Sequence, residues 1–154
     1  MYFAMILLLM FVVPAASVLV EMLAWHPEAS WIALIGKWFV FWGVGVRLAI
    51  AGIVQVFAPA FTAGALDIKD SKAQVLVREL GFGNLAIGAT GVLSLLLPVW
   101  TLAAAMCGGL FYGFAGTQHV FTTKRTAKEN WALASDLFLF AVMAVYVGAS
   151  LLER

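Results

Sequence analysis

The sequence predicts an all-α polytopic membrane protein, a bundle of about five transmembrane helices. Of its 154 residues, 64% are hydrophobic and 11% are charged, and the mean hydropathy is +1.03. Soluble globular proteins hold about 25% charged residues, so a water-soluble fold could not bury this much apolar surface. The chain has the length of one domain, and we predict a single transmembrane domain over residues 1–154.

Five apolar stretches are long enough to cross a bilayer core, which needs about 20 helical residues for about 30 Å. They are residues 2–24, 31–57, 79–97, 99–121 and 131–152. The first stretch is loosely similar to a secretory signal near Pro14, but it lacks a basic beginning and its apolar run continues to Ala24. We therefore expect a retained first helix.

Residues with known preferences for helix ends mark the boundaries between the spans. Pro59 follows the second span, because proline lacks the amide hydrogen that a helix interior requires. Residues 71–74 (SKAQ) and 126–129 (TAKE) match a capping box, in which two side chains satisfy free amides at a helix start. Pro98 suits the first turn of the fourth span, which predicts a tight antiparallel hairpin of the third and fourth spans.

The positions of Lys and Arg indicate the orientation of the bundle. One side of the membrane holds Lys69, Lys72, Arg78, Lys124, Arg125 and Lys128. The other side holds Arg154, with Lys37 slightly inside the second span. Because cytoplasmic loops carry the excess of basic residues, we predict a cytoplasmic N-terminus and a C-terminus outside.

Polar side chains lie inside the spans, where each is costly unless it has a partner or a function. Arg47 is the deepest, about 15 Å from the cytoplasmic end of its span at about 1.5 Å per residue. The second to fifth spans all contribute to a polar layer in the cytoplasmic half. Its predicted members are Arg47, Gln55, Glu79, Asn84, Gln118, His119 and Asp136. Among them, His119 offers the side chain best suited to proton transfer near neutral pH.

We expect Arg47 to contact Asp136, directly or through Asn84, since a buried charge needs a counter-charge. Three interpretations of the polar layer are open. It is an ion pair that fixes helix packing, a site for a ligand, ion or proton, or a surface that faces a partner chain. On the outer half, Glu21 and Lys37 lie at similar depth on adjacent spans, and we predict a structural pair.

Small residues predict where the helices approach closely. Gly109 and Gly113 form a small-xxx-small motif with Gly116 beyond it, and Gly88 extends the pattern to the third span. We therefore predict that the second, third and fourth spans form the tightest part of the bundle.

Several classes of function lack the residues that they require. The net charge of +1 provides no field for nucleic acid, and the single cysteine, Cys107, rules out an intrachain disulfide or a thiolate metal cluster. The sequence contains no phosphate-binding glycine loop and no nucleophile motif. We predict no metal, no catalytic residue and no cofactor, and an enzymatic activity is not favoured.

Three segments carry a resemblance to known proteins: RELGFGNLAIGATGVLSLL (78–96), FYGFAGTQH (111–119) and KENWALASDLF (128–138). They resemble an uncharacterised family of small bacterial polytopic membrane proteins, which is in turn loosely similar to DoxX-like four-helix proteins. The resemblance implies a multi-pass protein of the bacterial inner membrane. Because DoxX-like proteins are associated with quinone-linked thiosulfate oxidation, it also implies a redox role, with a quinone or a lipid as the bound molecule.

The sequence therefore favours a non-enzymatic accessory or packing subunit of a homo-oligomer or a larger membrane complex. Loops of at most about twenty residues, too short for a soluble catalytic domain, support this interpretation. A small-molecule or proton-coupled carrier that uses the polar layer is the first alternative, and a quinone-linked redox component is the second. The predicted partners are the lipid bilayer and other membrane helices.

Overall fold

The structure, a computed structural model, describes residues 2–25, 28–65, 68–123 and 125–153. These residues form five long helices and no strand, so the predicted all-α fold is confirmed. The helices are α1 (Tyr2–Leu7, Leu8–Val12 and Val13–Trp25), α2 (Trp31–Phe39, Val40–Val46 and Arg47–Phe57), α3 (Ala73–Leu93), α4 (Thr101–Val120) and α5 (Ala127–Leu152). A short helix, Pro59–Ala65, follows α2, and a 3-10 turn, Pro98–Trp100, precedes α4.

Four stretches of helix are long and apolar enough to cross a membrane: Phe3–Trp25, Trp31–Phe57, Pro98–Val120 and Ala127–Leu152. The predicted third span, residues 79–97, is instead the helix Ala73–Leu93, which ends where the chain turns towards Pro98. Its 21 residues include Arg78, Glu79 and Asn84, which lower its hydropathy. The fold is a polytopic membrane bundle in which α3 is the least apolar long helix.

Successive long helices run antiparallel. Along α1 and α2, Lys37 bonds to Glu21 and Trp42 bonds to Ser17, so the residue number rises in one helix as it falls in the other. Facing residues show the same relationship between α2 and α3, between α4 and α5, and between α2 and α5. The start of α1 and the end of α5 therefore lie at opposite ends of the bundle.

We call the end that holds the short helix Pro59–Ala65 and the loop 121–126 the basic end. Exposed cations at this end are Lys69, Lys72, Arg78, Arg125 and Lys128. Lys124 and Arg154, which count towards the predicted orientation, lie outside the described residues. That the basic end faces the cytoplasm stays a prediction.

Glycines bring α2 and α3 into backbone contact. A Cβ placed on Gly88 would lie 2.5 Å from the backbone nitrogen of Ala49, and one on Gly91 would lie 2.7 Å from the Cα of Gly45. Real Cβ atoms do not approach other atoms this closely. The close packing of the second and third spans therefore depends on the absence of side chains at these positions.

Three of the four glycines of α4 lie against α5. Gly109, Gly113 and Gly116 receive the side chains of Met143, Phe140 and Leu137 from α5. The expectation that the second, third and fourth spans form the tightest part of the bundle did not include α5, against which these three glycines pack. The fourth glycine, Gly108, lies against Val44 of α2. The closest helix pairs in the bundle are α2/α3 and α4/α5.

An apolar core joins these pairs to α1. Its fully buried side chains include Met10, Val40, Val44, Ala105, Leu139 and Met143. Two segments that face each other in this core, Leu8–Val12 and Val40–Val46, are π-helical. Such segments shift the register of a helix by a residue and are frequent near functional sites.

The two predicted capping boxes have different outcomes. At the start of α5, Glu129 N–H donates to the Thr126 hydroxyl and Thr126 N–H donates to the Glu129 carboxylate, as predicted. At the start of α3, no side chain caps the first turn, and Asp70 Oδ1 instead accepts from Lys72 N–H over 2.9 Å. The predicted box at residues 71–74 is not formed, because Ser71 lies in a turn before the helix begins.

Candidate functional site: a polar layer between two helix pairs

Gln55 and Asn84 join α2 to α3 in the half of the bundle nearer the basic end. Asn84 Nδ2 donates to Gln55 Oε1 over 2.7 Å, and Asn84 is only 3% exposed. The other amide atom, Asn84 Oδ1, is buried and has no hydrogen-bond partner among the described residues. A buried acceptor without a donor costs about 1 to 3 kcal/mol. Asn84 Oδ1 is therefore an unpaired acceptor in this layer.

Tyr112 joins α4 to the π-helical part of α2. The backbone N–H of Arg47 bonds to the carbonyls of Trp42 and Val44 and bypasses Gly43. The Gly43 carbonyl accepts instead from the Tyr112 hydroxyl over 2.6 Å. The predicted layer did not include Tyr112. A tyrosine in the middle of a span could have indicated this role, because a buried hydroxyl needs a partner.

Arg47 of α2 and Asp136 of α5 lie near the same tyrosine. Tyr112 bonds to Gly43, one turn before Arg47, and Gly43 faces Leu139, one turn after Asp136. Among the described residues, however, the two do not form an ion pair. The expected contact between them, direct or through Asn84, is therefore not made. Asn84 is already held by Gln55 across the close α2/α3 pair.

The guanidinium of Arg47 is also incompletely bonded. Its Nε is buried, and within the described parts of the chain it has no hydrogen-bond acceptor. Arginine at membrane depth is costly and normally meets a carboxylate or a carbonyl. Arg47 Nε is therefore a donor that the bundle itself leaves unpaired.

The remaining predicted members of the layer lie nearer the surface of the basic end. Glu79 and Gln118 are exposed, and His119 is half-buried. His119 lies close enough to Glu129 for their charges to interact. The Arg125 guanidinium caps α4 by donating to the His119 carbonyl over 3.0 Å. These residues form an outer tier. Three other residues of the layer, Arg47, Asn84 and Asp136, are called the buried group below: Asn84 is buried, whereas Arg47 and Asp136 are half-buried.

The predicted pair on the other half of the bundle has complete bonding. Lys37 Nζ lies 2.7 Å and 2.8 Å from the two carboxylate oxygens of Glu21. Trp38 Nε1 donates to the second oxygen over 2.6 Å, and Lys37 Nζ lies 4.9 Å from the centre of the Trp38 ring. The participation of Trp38 was not predicted. With its donors and acceptors matched, this cluster is suited to joining α1 to α2.

Two grooves open on the surface of the bundle, and both are apolar. One, between α3 and α4, is lined by residues that include Thr90, Trp100 and Cys107. The other, between α2 and α5, includes Ile35 and Tyr146. Neither is lined by a member of the buried polar group.

Comparison with known proteins gives one finding. A family model described as a family of unknown function (DUF6790) matches residues 2–152. The chain belongs to this family. No curated protein and no solved structure matches it. Membership of DUF6790 confirms the expectation of an uncharacterised family, whereas the resemblance to DoxX-like proteins and the bacterial inner-membrane location stay predictions.

Proposed function

We propose that the protein is a non-enzymatic carrier that binds a small polar solute in the buried group of Arg47, Asn84 and Asp136. The observation that supports this proposal is the buried, unpartnered Nε of Arg47. A guanidinium is always charged and presents five donors in a rigid fork. An acceptor supplied by a solute would complete its bonding, and Asn84 Oδ1 is a second unpartnered atom in the same half of the bundle.

The division of the bundle into two close pairs supports transport as well as binding. Glycine contacts hold α2 to α3 by their backbones, and α5 side chains fill the glycine face of α4. Between the pairs, within the described parts of the chain, the Tyr112 bond to Gly43 is a single polar connection beside Arg47. Rocking of one pair against the other would open the buried group while each pair stays intact, which is how many carriers alternate access.

A second candidate, the accessory subunit, is favoured by the outer face of α3. Glu79 is exposed on this helix, and a Cβ placed on Gly83 would meet no atom within 4 Å. Even near the membrane surface, an exposed carboxylate beside lipid is less favourable than one that a partner covers. A helix of a partner protein packed on this face would cover Glu79.

Native mass spectrometry of the full chain, released gently from its own membrane, tests both candidates. A carrier is expected to retain a defined small molecule besides lipid. Arg47→Met should lose that mass, because the guanidinium that holds the solute is gone. The double variant Glu21→Gln/Lys37→Gln removes a charged pair from the other half and should keep it. Helix content and elution volume of each variant check that the bundle is folded.

Two other results would contradict the carrier. If the wild-type protein carries only lipid and no small polar molecule, the proposed solute site is contradicted. A complex with other polypeptides, lost in a Glu79→Leu variant but kept in Arg47→Met, would establish the accessory subunit instead.

A further inference from the structure

We propose that the solute is a monoanion, and that it binds together with one proton, which Asp136 carries. This inference rests on the proposed function and specifies the class of solute that the same site takes. It follows from the balance of charge in the buried group and from the bonds already made by its neighbours.

The unpaired atom on the charged group, Arg47 Nε, is a hydrogen-bond donor. Arg47 Nε is buried without an acceptor, and its charge does not meet Asp136 in an ion pair in the described structure. Guanidinium groups bind carboxylate-like anions through two parallel hydrogen bonds, which are stronger than bonds between neutral groups. An anion is therefore the solute that matches Arg47.

The charges of Arg47 and Asp136 balance when both are ionised. An anion added to this group would leave one net negative charge at membrane depth, which is strongly unfavourable. A proton on Asp136 restores neutrality. The positive charge of Arg47 is then balanced by the solute alone.

The groups that face Asp136 leave it as the one that can accept the proton. On α2, the nearest charged residue is Arg47, one turn from the contact of Gly43 with Leu139, and arginine does not lose its proton in proteins. On α4, the nearest titratable residue is Tyr112, whose hydroxyl hydrogen is held by the Gly43 carbonyl. The acidic residue of α1, Glu21, is paired with Lys37 in the other half of the bundle.

Within α5, the nearest other acid is Glu129, which lies at the basic end and is held by the capping box with Thr126. His119 belongs to the same outer tier and interacts with Glu129. In the binding step, a proton from water bonds to a carboxylate oxygen of Asp136 as the anion bonds to Arg47. Release reverses both events, and no covalent bond of the solute changes.

Isothermal titration calorimetry of the full chain in lipid nanodiscs tests this coupling between pH 6 and pH 8.5. Methanesulfonate and acetate are the probes, because methanesulfonate stays an anion throughout this range. In the wild type, affinity should fall up to tenfold for each unit of rising pH once Asp136 has lost its proton. Repeating the titration in buffers of different ionisation enthalpy should show uptake of about one proton per anion bound.

Asp136→Asn is uncharged and nearly the same shape, so it mimics the protonated carboxyl. It should bind methanesulfonate at every pH with the affinity that the wild type reaches at its lowest pH, and it should take up no proton. Glu79→Gln removes a carboxylate of the outer tier and should keep the pH dependence of the wild type.

The outcomes separate the two proposals. If neither anion binds at any pH while native mass spectrometry shows a polar solute, the monoanion is wrong and the carrier stands. If the anions bind the wild type without proton uptake, or if Asp136→Asn keeps the pH dependence, the role of Asp136 is wrong. If Asp136→Asn does not fold, the measurement of proton uptake in the wild type still shows whether anion binding is coupled to the binding of a proton.

Discussion

Tyr112 donates its hydroxyl hydrogen to the carbonyl oxygen of Gly43 over 2.6 Å, and this bond joins α4 to the π-helical part of α2. In a regular α-helix, the Gly43 carbonyl would accept from the N–H of Arg47. That N–H bonds elsewhere, to Trp42 and Val44. The π-helical segment therefore frees the carbonyl to which Tyr112 bonds, and it does so next to Arg47, the deepest cation.

Removing this hydroxyl should weaken the contact between the two helix pairs. Tyr112→Phe keeps the ring and leaves the buried Gly43 carbonyl with one bond fewer, so we expect a loss of about 0.6 to 1.7 kcal/mol in the free energy of unfolding. Unfolding in detergent micelles by a denaturant titration measures it. Tyr146→Phe is the matched control, because the Tyr146 hydroxyl has no hydrogen-bond partner among the described residues. Equal losses in both variants would show that the Gly43 bond contributes nothing specific.

Adding one methyl group should separate α2 from α3 at one glycine and not at another. Gly88→Ala places a Cβ 2.5 Å from the backbone nitrogen of Ala49, which cannot move without the helix. We expect a destabilisation of about 1 to 3 kcal/mol, as for other overpacked sites. Gly83→Ala on the same helix meets no atom within 4 Å and should be neutral or slightly stabilising. Thermal unfolding of the two variants side by side makes the comparison, and a Gly88→Ala variant as stable as Gly83→Ala would contradict the backbone contact.

The pair of Glu21 and Lys37 should behave as a coupled unit. Their side chains are 13% and 38% exposed, so the coupling should be about 1 kcal/mol, at the upper end for exposed pairs and below that of a fully buried pair. A double-mutant cycle of Glu21→Gln and Lys37→Met measures it, because the second substitution should cost less once the first is present. Losses that simply add would mean that the two residues stabilise the bundle independently.

The starts of α5 and α3 should respond differently to the loss of a hydroxyl. Thr126→Ala removes the hydroxyl that accepts from Glu129 N–H, and we expect a loss of about 1 kcal/mol. Ser71→Ala should change the free energy of unfolding little, since no side chain caps the first turn of α3. Hydrogen exchange at the first amides of each helix locates the effect. Faster exchange at the start of α3 in Ser71→Ala would indicate that the predicted capping box forms after all.

The sequence predicts a common depth for the polar residues, and this depth stays a prediction, whereas their partners could not be predicted. Counting from the span ends placed Arg47, Asn84 and Asp136 in the same half of the bundle, because an α-helix rises by a constant amount per residue. The sequence did not show that Asn84 would bond to Gln55 and leave Arg47 without an acceptor. That choice depends on how α3 is rotated about its axis, which its glycine contacts with α2 set.

The π-helical segments could not be predicted from the sequence either. Val40–Val46 is as apolar as a regular span, and a shift of one residue leaves the average hydropathy unchanged. Only the facing residues reveal the shift, through the bond of Tyr112 to Gly43. In the same way, the small-xxx-small motif predicted close packing of α4 but not that α5 would be the neighbour.

By itself, the sequence determined the membrane class, the five long helices and their alternating direction. These properties follow from apolar content, helical rise and the order of loops, which are local along the chain. The tertiary structure decided which helices form close pairs, which carbonyl holds Tyr112 and which charge lacks a partner. Those outcomes depend on the rotation and crossing of whole helices, and these are set by the simultaneous packing of side chains far apart in sequence.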